Sequence, residues 1–261
     1  MTYTPSKYWQ VLSDRAQQML DKFGYENFKS SVSLAVYNDY LFNYETQALD
    51  PEYEANVRAI WDKLYETYPS QFLDQLVEPS EGTPLAIKYK GRLVSLDLVA
   101  TITEYARLAS CIDFDTVSVV REIGGGYGRI PYVLTQLYPE LSYHMYDIEP
   151  SLGIAKRYLN SVRGDANIQF HSPDELSGRC DILIAMNCLH EVTKEQVESY
   201  FDYAQKNSRY FYFSCWKHTH INADDITWRQ EDYPVRPTWK PLYVGQHYMR
   251  RDFFEALYQC G

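Results

Sequence analysis

The chain has 261 residues, 45% of them apolar, enough to bury a sizeable core without disulfide or metal staples. Its formal charge is −10, from 25 Lys and Arg against 35 Asp and Glu, and the basic residues are scattered. That disfavours nucleic acid as a partner, because polyanion binding needs concentrated cationic contacts. The five cysteines show no Cys-x-x-Cys spacing, and neither an apolar leader nor a run of eighteen apolar residues is present. These features point to a soluble, cytoplasmic protein with no membrane span.

Tyr8, Leu12, Ala16, Met19, Leu20 and Phe23 recur at steps of three and four and stop at Gly24, which predicts an amphipathic first helix. A second helix is expected with Asp50 as N-cap and Pro51 in its first turn, burying Tyr53, Val57, Ile60, Trp61 and Leu64. A partner helix is expected over 70–77. A Pro- and Gly-rich connection or hairpin should occupy 78–91, followed by a helix over 95–109. From Thr116 onward, strands are predicted over 117–123, 142–146, 168–171, 181–186 and 210–215, most of them joined by helices. The expected class is α/β, a doubly wound and mostly parallel sheet. Residues 95–261 would form this domain, and 1–94 a helical region acting as a substrate gate or an interaction surface. Ligands of such sheets bind outside the carboxyl ends of the strands.

The most informative stretch is 120–129, Val-Arg-Glu-Ile-Gly-Gly-Gly-Tyr-Gly-Arg, set between the first predicted strand of the sheet and a helix. Glycines at 124, 126 and 128 let the backbone turn sharply and approach a ligand, while the helix N-terminus offers free N–H groups. A dinucleotide fingerprint would need a third glycine three residues beyond Gly126, where this chain has Arg129. Asp147 follows the next strand, nineteen residues beyond Gly128, at a reach where a carboxylate can accept from both hydroxyls of a ribose. Capping ahead of Pro150 suits Glu149 better than Asp147. The strand over 181–186 leads into Asn187, Cys188, Leu189, His190 and Glu191, with polar groups beside the expected reaction centre. No Asn-Pro-Pro-Tyr type sequence occurs there, which lowers a nucleic-acid substrate further.

Glu-x-Gly-x-Gly-x-Gly resembles the first motif of class I S-adenosylmethionine-dependent methyltransferases, which implies a Rossmann-like fold and that cofactor. Together with Tyr-Asp-Ile-Glu-Pro-Ser-Leu, Tyr158-Leu159, 187–191 and 197–201, it is similar to the sugar O-methyltransferase family found with bacterial surface-polysaccharide genes. The likeness covers roughly 85–220. Members tend to carry a further glycine where this chain has Arg129, and a Pro directly after the Asp-Leu pair where this chain inserts Glu149. The resemblance implies methyl transfer to a sugar hydroxyl of a surface polysaccharide or its precursor. Alternatives are another small hydroxylated or phenolic acceptor, or a cofactor-binding scaffold in glycan assembly.

Cofactor contacts are expected from Glu122, Gly124, Gly126, Tyr127, Gly128, Asp147, Ile148, Asp174 and Asn187. Glu122 would face the methionine ammonium or a bridging water, or else form a buried ion pair. Tyr127 would cover the cofactor or face solvent, and Asp174 would hold the adenine or cap the turn after its strand. His190, Glu191 and His218 are the candidate general bases. Beyond Cys215, His218, His220, Asp224, Trp228, Trp239 and Tyr243 read as a substrate lid. The histidines and Asp224 form a divalent metal site only weakly, so no metal is assigned. A glycosyltransferase or a second copy of the chain would dock on the helical region.

Overall fold

The computed structural model describes residues 4–31, 42–43, 48–50, 52–68 and 70–261. The front of the chain holds helix α1 (Lys7–Phe23), the turn α2 (Phe28–Ser31), short strands β1 (Phe42–Asn43) and β2 (Ala48–Leu49), and helix α3 (Tyr53–Thr67). The turn α4 (Ser70–Leu73) follows, and then the hairpin of β3 (Ala86–Tyr89) and β4 (Arg92–Ser95). The remainder alternates: α5 (Leu96–Ala109), β5 (Val119–Ile123), α6 (Arg129–Leu137), β6 (Ser142–Tyr146), α7 (Ser151–Val162), β7 (Ile168–His171), β8 (Cys180–Met186), α8 (Lys194–Asn207) and β9 (Ser208–Trp216). A hairpin of β10 (His218–Ile221) and β11 (Ile226–Arg229) precedes β12 (Lys240–Gln246) and β13 (Phe253–Gln259).

Local chemistry explains the boundaries. The Ser6 hydroxyl accepts from the Trp9 N–H to open α1, and Gly24 ends it at φ 81°. Helix α3 buries Tyr53, Val57, Trp61 and Leu64, the predicted face. Asp50 supports its start by accepting from the Glu52 and Tyr53 N–H groups, while Pro51 lies outside the described residues. The helix expected over 70–77 is only the turn α4. Ser95 caps α5, accepting from Leu98 N–H at 3.0 Å.

Seven strands form the sheet in the order β12-β13-β9-β8-β5-β6-β7. The five from β9 to β7 are parallel, and β13 and β12 add antiparallel at one edge. One apolar cluster gathers Val120, Met145 and Ile184 of the sheet with α5, α6 and α7; a second gathers Ile123, Leu183 and Phe213 with α8. This is the expected doubly wound, mostly parallel architecture. The lid read into the tail is corrected in two respects. Residues 240–259 complete the sheet, and Trp228 and Trp239, only 1% and 5% exposed, are core residues. Trp239 stacks on Phe201 at 5.5 Å and Trp228 on Tyr233 at 4.9 Å, contacts worth more to these rings than exposure beside a substrate. All five cysteines are free. No helix among the described residues is long and apolar enough to cross a membrane.

Candidate cofactor site

The carboxyl ends of β5, β6 and β8 meet around a narrow cavity of about 30 Å³. Gly124, Asp147, Ile148, Leu189 and Val192 line it, and Trp9 of α1 closes one wall. The glycine loop is held tightly. Gly124 N–H donates to the Tyr146 carbonyl at 2.8 Å, Gly126 N–H to Asp147 Oδ2 at 2.8 Å, and Gly128 N–H to the Gly125 carbonyl at 3.0 Å. Gly124 has φ 69°, and a Cβ there would lie 2.5 Å from Cys188 Cβ; at Gly128, with φ 92°, one would lie 2.5 Å from Leu159. Neither position admits a side chain.

Asp147 is 6% exposed and also accepts from Ile148 N–H at 2.7 Å. Burial pushes its carboxyl up to about 7 against the pull of those two backbone hydrogen bonds. Glu122 is 1% exposed beneath the loop and accepts from the Tyr143 hydroxyl at 2.8 Å. Burial pushes it up to about 8, opposed by the Tyr143 hydrogen bond and by the charge of Arg129. Two carboxyl groups that resist ionisation thus flank one loop, and a cation brought beside them would favour their ionised forms.

Tyr127 does not face solvent. Its ring is 3% exposed, packs on Phe28 and Tyr158, and its hydroxyl donates to Asp97 at 2.9 Å. Asp174 lies in a neighbouring groove beside α8 and not in the cavity wall; its Oδ1 accepts from Ser172 Oγ at 2.6 Å. Asn187 has φ 57°, and its Oδ1 accepts from Ser214 Oγ at 2.9 Å. His190 is 3% exposed, its ring edge-on to Trp216 and Phe253, with Nε2 3.5 Å from Glu191 Oε1. Asn187 Nδ2 and His190 Nδ1 are both buried with no hydrogen-bond partner among the described residues. His218 is exposed on the β10–β11 hairpin, and neither it nor His190 is among the residues that line the cavity.

The residues weighed as a metal site are otherwise engaged or apart. Asp224 accepts from the backbone N–H groups of Lys7 and Tyr8, and His220 pairs with Thr227. No group of three or more metal-ligating side chains occurs among the described residues.

Two contributors escaped the sequence reading. Glu104 of α5 receives both ends of the Arg129 guanidinium. Burial alone would raise Glu104, but Arg129 and His247 override it and hold the carboxyl down to about 2. Trp9 is the other; its only sequence signal was a place on the first helix.

Residues 95–208 match the family model described as an O-methyltransferase domain. No curated protein matches the chain. Among solved structures, the chain is similar to magnesium protoporphyrin IX methyltransferase of Synechocystis PCC 6803 with bound S-adenosylhomocysteine, at 17% identity and TM-score 0.50, covering 63% of this chain and 85% of that one. It is also similar to a glycopeptide N-methyltransferase complexed with sinefungin, at 11% identity, TM-score 0.48 and 62% and 87% coverage. For mitomycin 7-O-methyltransferase the values are 13%, 0.46, 62% and 54%, so the chain spans about half the length of that relative. Residues 95–208 thus resemble an O-methyltransferase domain, and the chain shares the fold of a solved methyltransferase.

Proposed function

We propose that this chain transfers a methyl group from S-adenosylmethionine to a sugar hydroxyl of a bacterial surface polysaccharide or its precursor. The observation that carries the reading is the cavity walled by Gly124 and Asp147, with the His190–Glu191 pair directly after the neighbouring strand. The residues present fit the cofactor. Asp147 would take the ribose hydroxyls, Ile148 and Leu189 the flat faces of the base, Glu122 the methionine ammonium, and the 124–128 backbone the space no side chain can fill. Asp174 and Tyr127 contribute only through the shape of their loops. When bound, the cofactor supplies a methyl group on a positively charged sulfur.

An acceptor hydroxyl that would take this methyl group must give up its proton. His190 is suited to receive it. Glu191 facing Nε2 favours a proton on that nitrogen and leaves Nδ1 as the acceptor, the state a general base requires. Positioning by the buried walls supplies much of the remaining acceleration. His218, exposed on its hairpin, ranks behind the pair. The region 1–94 supplies one wall of the cavity through Trp9, in keeping with a gate.

The test is methyl transfer from labelled S-adenosylmethionine to a panel of nucleotide sugars, oligosaccharides and phenols. Label in a sugar is the expected result. Label confined to phenols moves the acceptor to another hydroxylated metabolite, and binding without transfer to any acceptor favours a scaffold. With an acceptor in hand, His190→Ala should cut turnover by about two orders of magnitude with cofactor affinity retained. Unaltered turnover removes His190 as the base.

A further inference from the structure

The cavity has one wall that the methyltransferase domain does not supply. Trp9 lines it together with Asp147, Ile148, Leu189, Val192 and Tyr200. Its ring packs with the apolar cluster of the α8 side, whereas Ala16, Met19 and Leu20 of the same helix join the cluster on the other side. Helix α1 therefore bridges the two halves of the core across the mouth of the site.

The way α1 is attached is specific at one end and slight along its length. Asp224, in the turn between β10 and β11, accepts from the first helical N–H groups, Lys7 at 2.8 Å and Tyr8 at 2.9 Å. Ser6 Oγ donates to the Glu191 carbonyl at 2.7 Å, and Gln196 Nε2 donates to the Thr4 carbonyl at 2.8 Å. Two of the three anchors, Glu191 and Gln196, belong to segments that adjoin the candidate base or line the cavity. Along its length only Ala16 is fully buried, Trp9, Leu12, Met19, Leu20 and Phe23 are half-buried, and Val11 is 63% exposed. A helix with so small a fully buried face is held mainly by its end and can leave at modest cost. The glycine loop has no such freedom.

We infer that Trp9 is a cofactor-contacting residue and that α1 is the removable wall of the site, latched by Asp224 and admitting and releasing the nucleoside by undocking at its N-terminal end. The inference rests on reading the cavity as the S-adenosylmethionine site. An indole at this place offers a flat apolar face to a purine, and it is the one aromatic of the wall that travels with α1. The Asp224 carboxylate serves the latch through two hydrogen bonds to the positive end of α1, an interaction that a neutral apolar residue cannot make. This also assigns Asp224, first weighed as a metal ligand, a different task.

The experiment uses the full chain with S-adenosylhomocysteine as the probe, its affinity measured by calorimetry and its release rate by stopped-flow displacement. Wild type, Trp9→Ala, Trp9→Phe and Asp224→Ala are compared, with thermal melts to establish that each folds. Trp9→Ala should weaken binding about tenfold, the usual value of one aromatic stacked on a base, and Trp9→Phe should restore most of it. Asp224→Ala should speed release by about fivefold or more with a smaller change in affinity. Wild-type binding with folded Trp9→Ala and Asp224→Ala variants that match it in affinity and release would overturn the inference and leave the cofactor reading intact. Absence of binding by the wild type would overturn both.

Discussion

The two walls of the cavity are built by opposite means. The glycine loop is fixed by short backbone hydrogen bonds and by contacts that exclude a Cβ at Gly124 and Gly128, and it sits between buried acids. Helix α1 is fixed by hydrogen bonds at one end and by a face that is mostly half-buried, with Ala16 its one fully buried residue. The difference teaches how one site can be both exact and accessible. The loop sets the shape that the cofactor must match, and exchange is left to the element whose displacement disturbs least of the core.

The largest expected effect comes from breaking the rigid wall. Gly124→Val places a β-branched residue at φ 69° and drives its Cβ into Cys188. It should destabilise the fold by roughly 2–4 kcal/mol and weaken S-adenosylhomocysteine binding about a hundredfold or more. A thermal melt and a binding titration read the two effects, and a variant that binds normally would show that the loop is more yielding than its contacts imply.

A smaller effect follows from the acids, which belong to the loop wall alone. Asp147 and Glu122 are held up at about 7 and about 8 in the folded protein, above their unfolded values near 4. Between those limits the native state binds more protons than the unfolded chain, so the stability of the free protein should fall as pH rises from about 5 to 8. The slope is at most about 1.4 kcal/mol per pH unit for each group. Binding of a cofactor bearing an ammonium and ribose hydroxyls favours the ionised carboxyls, so its affinity should rise about tenfold or more from pH 6 to pH 8, with proton release on binding. Calorimetry in buffers of different ionisation enthalpy measures that release. Flat affinity over this range would mean that the two acids do not meet the cofactor.

The same division governs what the amino-acid sequence discloses. The glycine loop was legible because its physics is local: three glycines within five residues impose positive φ, and Asp147 recurs one strand later at the same edge of the sheet. The five parallel strands were legible as apolar runs bounded by turn residues. The last two were not. Residues 253–259 are buried along most of their length and show no alternation, and β12 carries Pro241 and Gly245, which edge strands tolerate and which read as breakers. The cap was hidden for a different reason. Lys7 and Asp224 meet across 217 residues, and Arg129 and Glu104 across 25, and no periodicity encodes such pairs. Tyr127 misled because a tyrosine inside a glycine loop looks exposed until Asp97 and Phe28 are brought beside it.

The most direct test of the account is titration of S-adenosylhomocysteine into the full chain, wild type beside Asp147→Ala, at pH 8. The account predicts one saturable site per chain in the wild type and a loss of affinity of about tenfold or more in the folded variant, because the ribose hydroxyls lose their carboxylate. Equal binding by both proteins, or none by the wild type, would contradict the assignment of this cavity to the cofactor.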